Sequence, residues 1–582
     1  MTPAGQPWLR PAATTSIMPR WRVVTSFVAA SLAVALLHEP DSLPTYYFFR
    51  QDILVLCAMV IGAALFPRVM SKRRWESELR FSPQLGIAAA SLLLLIGIAG
   101  HWLVMSGFDL SRDEAMAEFA SRQLAAGEIV TSVPEEWRPF GRAMLPTFFN
   151  GRLSPEVAWT SGYLPVNSIL RAVGAKLASS AIVNPVLLVA GLLALWDVAQ
   201  RLWPQRPDAA LIAVILAGTS SQLIVNSMTS YAMVGHFALN MIWLALFLRK
   251  KWTCDLGAIV VGFAAMGLHQ IHFHPLFVAP FLLWLVGRGQ LSRVAFFGLA
   301  YAVITLFWFR VYPAWLITHA DPLAIVEQPD RTLFQYLLGR LRRFADYSPV
   351  VVFANLARFI AWQNVLLIPL ALFALPMLRN RSDRKDGLLV PLSAVCGLGL
   401  LLMVYQGHGW GYRYLSGAIG AFCLVAAYGW VRIVPQRGTG RHWSVLKVAC
   451  AFSLLLVLPT QLMMARDFVS PYAELFRAAK AAPVDVVLVD VSGGFFAQDI
   501  VQNGPDFAVS PKIMDLTYVA EHDLTTLCQT KTVAIIDRRH YRKVGMLEQP
   551  MPDALETSLT DKRAFLDREG CATPVDLGLA AG

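Results

Sequence analysis

The sequence predicts an all-α polytopic membrane protein of about thirteen transmembrane helices with a small C-terminal α/β portion. Three observations carry that expectation. Of 582 residues, 56% are hydrophobic and 15% charged, whereas soluble domains hold roughly 25% charged and about 45–50% apolar residues. The apolar residues fall in runs of membrane-spanning length. Lys and Arg gather in short connections between those runs, as the positive-inside rule expects. That placement accounts for the net charge of +11 without nucleic acid as a partner. The 17 Trp suit interfacial belts, and the 7 Cys show no CxxC or metal-finger spacing.

Residues 1–20 form a Pro- and Arg-containing cytoplasmic lead. The run at 21–37 lacks a small-residue cleavage site and precedes further spans, so it is an uncleaved first helix rather than a signal peptide. A second span covers 53–66. Arg68, Lys72, Arg73 and Arg74 then mark the cytoplasmic side, and a third span at 84–105 exits on the far side. Ten more spans are expected at 182–200, 209–225, 232–248, 256–272, 275–287, 294–312, 356–378, 388–405, 415–431 and 444–463. The connections assigned to the cytoplasm carry Arg201 and Arg206, Arg249 to Lys251, Arg288 and Arg293, Arg379 to Lys385, then Arg432, Arg437 and Arg441. Each obeys the charge rule.

The chain therefore divides into 1–80, a lead with two accessory spans; 81–465, the transmembrane core, with outer loops at 106–180 and 313–355; and 466–582, an extracytoplasmic tail. Within the tail, 484–491 (VDVVLVDV) and 532–537 (TVAIID) read as buried strands between turn residues. Cys528 and Cys571 lie in this exported portion. An oxidising compartment permits a bridge between them, and two unpaired buried thiols are the alternative.

The first outer loop opens with a polar, acid-rich helix at 108–130. Ser111 caps its first turn, Glu114 stands at the capping-box spacing, and Gly127 stops it. The capping box explains Glu114. Asp113 has only the helix dipole as a structural reason, so it is the better candidate for chemistry. Other unusual polar residues map to the same rim: Tyr231 and His236 at the start of one span, His269, His272 and His274 in LHQIHFHP, and His408 and Arg413 in GHGWGYRY. Ionisable groups at membrane depth usually face a cavity or a partner. His269 and His272 share a helix face if the helix extends that far. They then ligate a metal or phosphate, or merely bond backbone at the interface. Arg413 is a phosphate partner or an interfacial anchor between Tyr412 and Tyr414. Arg331, Arg340, Arg342 and Arg343 lie on an amphipathic helix in the second outer loop and bind anionic groups or face water.

The acidic pair in SRDEAMAEFASRQLAAGE, on the first large outer loop after a span, resembles the Asp-Glu signature of GT-C glycosyltransferases. These include the protein O-mannosyltransferase and aminoarabinose transferase relatives. The Tyr163-Leu164-Pro165 segment, and GHGWGYRYLSGAIGAFCLV with its Tyr414, are similar to further segments of such proteins. The resemblance covers about 84–463. It implies a helical bundle in a bacterial inner membrane with a periplasmic tail. It also implies a polyprenyl-phosphate sugar as donor and transfer to a glycan, lipid or protein acceptor. Asp113 would be the general base and Glu114 its companion. Arg413, with Tyr414, His408, His236, His269 and His272, would bind substrate and the departing phosphate. No cofactor is required, and a divalent ion bridging the phosphate and Asp113 is left open. Two rivals use the same residues differently: a transporter or flippase of a lipid-linked polar substrate, and a non-catalytic assembly subunit built around the tail.

Overall fold

The computed structural model describes residues 43–71, 82–145, 149–327, 332–345, 349–379, 387–402, 406–434, 440–549 and 551–576. The expected lead, the first span, Lys72 to Arg74, Arg331, residues 381–385 and Arg437 lie outside these residues. Among the described residues, six helices are long and apolar enough to cross a membrane: Leu43–Gly62, Pro83–Leu103, Ser180–Leu202, Leu291–Ile317, Arg413–Ile433 and His442–Ala481. Shorter apolar helices stand among them, including Met233–Phe247, Trp252–Met266, Phe273–Gly287 and Leu389–Leu401. The chain is a multi-pass helical membrane protein.

Two expected spans are broken, for one shared reason. In place of a continuous span at 209–225, Pro207–Gly218 and Ser221–Ser227 meet at 55°. In place of one span at 356–378 there are Pro349–Ala361 and Leu367–Ala374. The breaks face each other. Ser220 Oγ lies 2.8 Å from Gln363 Oε1, and Asn364 Nδ2 donates to Thr219 Oγ1 at 2.7 Å. The Gln222 backbone N–H donates to the Trp362 carbonyl at 3.1 Å. Backbone freed inside hydrocarbon must find partners within the protein, and each break supplies them to the other.

Helix α1, Pro83–Leu103, begins at a Ser82 cap and shows leucines such as Leu92 and Leu95 on its outer face. Helix α2, Arg112–Ala125, starts at Ser111, whose side chain accepts from the Glu114 backbone N–H at 3.3 Å. It stops before Gly127, whose φ of +83° favours glycine. The strands β1, Thr131–Ser132, and β2, Ala158–Trp159, pair antiparallel beside it. Helix α3, Val166–Leu177, follows, then the apolar helices α4, Met233–Phe247, and α5, Phe273–Gly287. The expected amphipathic helix in the second loop is α6, Leu333–Ala345.

Helix α7, Leu458–Ala481, carries the chain from the bundle into the tail. There β3, Val486–Val489, β4, Lys512–Asp515, β5, Val533–Ile536, and β6, Ala572–Pro574, form a parallel sheet in the order β4-β3-β5-β6. Every residue of β3 and β5 is buried, as continuous apolar runs in a parallel sheet require. A disulfide joins Cys528 to Cys571, with Cα atoms 5.3 Å apart. The sheet does not stand alone. One apolar cluster runs from Tyr47 through Phe108, Met116 and Phe119 of the α2 segment and Tyr472 of α7 to Val486–Val489. A second cluster fills the bundle around Trp243, Phe281 and Cys423.

Candidate active site

Asp113 occupies the first turn of α2, where the Ser111 cap fixes the backbone. Its carboxylate is nearly buried and takes two partners: the Tyr163 hydroxyl donates to Oδ1, and the Arg413 guanidinium pairs with Oδ2. Tyr163 is held just before α3, where the Val166 backbone N–H donates to the Gly267 carbonyl at 3.0 Å. Arg413 is aimed by the glycine-rich segment before it. Gly409 has φ +147°, and a Cβ there would lie 2.6 Å from Arg413 Cδ. Gln406 Oε1 accepts from the Arg413 backbone N–H at 2.7 Å. The guanidinium lies 4.5 Å from the Tyr231 ring centre and 5.1 Å from that of Tyr414, a cation sandwiched by aromatic faces. Burial pushes the Asp113 carboxyl up, but the Arg413 guanidinium and the Tyr163 hydroxyl hold it below the usual range. Asp113 is therefore a pinned, ionised carboxylate.

Glu114 does something other than expected. It turns away from the Ser111 cap, and its Oε2 accepts from the Ser230 backbone N–H at 2.9 Å. The capping-box explanation for this residue is corrected: the Ser111 side chain accepts from the Glu114 backbone N–H, but the Glu114 carboxylate bonds Ser230 on another segment. Burial and the neighbouring Asp109 carboxylate push Glu114 up to about 8. Asp109 accepts from Ser230 Oγ at 2.6 Å, and Glu118 pairs with buried Arg171 at 2.8 Å. Arg171 also donates to the backbone carbonyls of Thr229 and Ser230. This acidic cluster anchors α2 to the 229–231 turn and leaves Asp113 on the other side facing Arg413.

The histidines divide. His269 stacks on Tyr163 with ring centres 4.4 Å apart, and both ring nitrogens are buried without a hydrogen-bond partner. Burial lowers it to about 4 even though Asp113 pulls it upward, so it is neutral. His236, on α4, is likewise buried with both nitrogens unpartnered. His272 lies 3.2 Å from the Tyr336 hydroxyl, and His274 is shared between Asn240 and Tyr301. The helix before them ends at Met266, so the expected shared face for His269 and His272 does not form. Gly267 caps that end, its backbone N–H donating to the Phe263 carbonyl, and packs so closely that a Cβ would lie 2.3 Å from Trp308. Among the described residues no three His, Cys, Asp or Glu side chains converge as a metal site. The groups on Asp113 are a cation and a hydroxyl donor rather than the oxygen acceptors a hard cation takes, so this carboxylate does not fit a bridging ion.

His408 leaves the site. Its Nε2 lies 3.0 Å from Asp499 Oδ2 of the tail, and its Nδ1 is 3.3 Å from the Tyr47 hydroxyl. Arg112 holds the other Asp499 oxygen at 2.9 Å. His408 and Arg413 thus serve different carboxylates: Asp113 on α2 for Arg413, Asp499 of the tail for His408. Sequence reasoning missed Asp499, and also Asp52 and Arg358. Trp362 Nε1 donates to Asp52 Oδ1 at 2.8 Å. Arg358 sits 3.9 Å from the Tyr47 ring centre and donates to the Gly409 carbonyl, bracing the segment that aims Arg413. Arg358 inside the run 356–378 and Asp52 immediately before the run 53–66 were the available signals.

No family model matches the chain, and no curated protein matches it in sequence. Solved structures do match. ArnT from Cupriavidus metallidurans, crystallised bound to undecaprenyl phosphate, superposes with a TM-score of 0.50 at 11% identity, over 72% of this chain and 84% of that one. ArnT in the apo state gives 0.47 at 13% identity over 80% and 95% of the two chains. The arabinosyltransferase EmbB from Mycobacterium smegmatis gives 0.30 at 15% identity over 89% and 44%. The comparison with undecaprenyl-phosphate-bound ArnT carries the conclusion: the chain has a GT-C-like fold.

Proposed function

We propose that this protein is a glycosyltransferase that moves a sugar from a polyprenyl-phosphate donor to an acceptor hydroxyl outside the cytoplasm, in a bacterial inner membrane. The observation that carries the reading is the buried Asp113–Arg413 pair beside Tyr163 and the unpartnered imidazole of His269. ArnT, which shares the fold, was crystallised with undecaprenyl phosphate. In the reaction the acceptor oxygen attacks the anomeric carbon, its proton passes to Asp113, and the bond from that carbon to the phosphate oxygen breaks. Arg413 and His269 hold the departing lipid phosphate. A carboxylate held down by a cation is a weak base. Donor phosphate drawing Arg413 to itself returns basicity to Asp113, so the base is released when the donor is in place. Tyr414 and His236 complete the phosphate side, and Glu114 fixes the helix that presents Asp113.

A transporter would use broken helices near the midplane. Here the breaks at Thr219 and Asn364 are bonded to each other rather than open to a substrate, which favours the transferase. Binding of undecaprenyl phosphate to the purified chain tests the donor half. Arg413→Gln is expected to weaken it at least tenfold, and an unchanged affinity would remove Arg413 from the phosphate site.

A further inference from the structure

A cavity of about 440 Å³ lies between α2, the end of α7 and the tail loop that leads into β4. Its walls are aromatic, with Phe108, Phe119, Phe476 and Phe507, and three cations line it: Arg122, Lys480 and Lys512. Arg122 follows Asp113 by two and a half turns at about 3.6 residues per turn, which puts it on the opposite face of α2. A ligand in this cavity is separated from Asp113 by the body of the helix.

The placement of the charges favours an anion at one end of the cavity. Lys480 lies close enough to both Lys512 and Arg122 to be repelled by them. Lys512 spends its ammonium on the carbonyls of Phe507 and Val509, at 2.6 and 2.5 Å. Among the described residues neither the Arg122 guanidinium nor the Lys480 ammonium makes a close ion pair or a hydrogen bond; Arg122 acts on Glu118 from further away, and Lys480 lies 5.9 Å from the Phe476 ring centre. Three carboxylates share the lining: Asp109 is bonded to Ser230 and Glu118 is paired with Arg171, while Asp506, which accepts from the backbone N–H of Ala508, offsets the charge of Lys512. Like charges gathered on an apolar, partly enclosed wall are costly without a counter-charge. The cavity also stands clear of the hydrocarbon. His442–Ala481 has 40 residues, about 60 Å at 1.5 Å per residue and twice the roughly 30 Å apolar core. Phe476 and Lys480 are near its far end.

We propose that this cavity is a binding site for a soluble organic anion: a phosphate or carboxylate group on an apolar or ring-shaped body, the body against the four phenylalanines and the charge between Arg122 and Lys480. The site lies on the back of the helix that presents Asp113 and is separate from the phosphate position at Arg413.

The test is calorimetric titration of the full chain with benzyl phosphate, in neutral phosphatidylcholine nanodiscs. Saturable binding at one per chain is expected, with inorganic phosphate and benzyl alcohol each at least tenfold weaker. Arg122→Gln with Lys480→Gln should weaken benzyl phosphate at least tenfold with an unchanged melting temperature, and Arg122→Lys with Lys480→Arg should retain it. Undecaprenyl phosphate added to the nanodisc should leave it unaltered. No saturable binding, unchanged affinity in the double Gln variant, or competition by undecaprenyl phosphate would each overturn the proposal. Competition by phosphatidylglycerol in the nanodisc would replace the soluble ligand with a lipid headgroup and overturn it as stated.

Discussion

Removing either member of the Asp113–Arg413 pair should cost far more than removing both. Their side chains are 10% and 5% exposed, so Arg413→Gln strands a buried carboxylate and Asp113→Asn strands a buried guanidinium between two tyrosine rings. Breaking a buried pair from one side costs about 3–5 kcal/mol, whereas replacing both charges is often close to neutral. The double variant should therefore be more stable than either single by about 3–5 kcal/mol, far from additivity. The assay is a double-mutant cycle by denaturant unfolding in one detergent at pH 7. A pH series adds a sign. Asp113 is held below its unfolded value, so the pair's contribution is full above that value, near pH 4, and is lost as pH falls through the lower folded value. The single variants should lose this acid sensitivity. Strictly additive single costs would refute the account of the site as a coupled buried pair.

Glu114 gives the opposite pH sign: its folded value, about 8, lies above the unfolded one, so wild-type stability falls as pH rises from about 4.3 toward 8. Glu114→Gln should flatten that slope in thermal melts across pH 5 to 9, and an unchanged slope would contradict it. Tyr163→Phe removes a hydrogen bond to a charged carboxylate, worth roughly 1.5–3 kcal/mol, and should move the acid limb of the transfer rate to higher pH. Asp499→Asn breaks the tie from His408 and Arg112 to the tail, and limited proteolysis should cut the tail loops faster while undecaprenyl phosphate binding persists. Cys528 and Cys571 should resist alkylation in unreduced, denatured protein and react after reduction.

Much of this was readable in advance because hydropathy and charge report membrane spans directly. The α2 cap at Ser111, the stop at Gly127 and both tail strands fell where pattern placed them, since each depends on neighbours in sequence. What the sequence hid depends on partners far along the chain. Glu114 meets Ser230, and His408 meets Asp499 of the tail. Nothing local distinguishes a carboxylate that caps its own helix from one that reaches across to another turn. The two broken spans were hidden for the same reason: each break is satisfied by the other, through Thr219 and Asn364, which lie far apart in sequence. Asp113 and Arg413 were both singled out from sequence. Their direct pairing was not, because the glycine segment that aims Arg413 is braced by Arg358 from a third helix.

The most direct test of the central claim is transfer by Asp113→Asn, measured as release of undecaprenyl phosphate from an undecaprenyl-phosphate sugar in a single turnover with acceptor present. The account predicts that the variant remains folded, still binds the donor, and releases product at least a thousandfold more slowly than wild type. Release at the wild-type rate by the folded variant would contradict it.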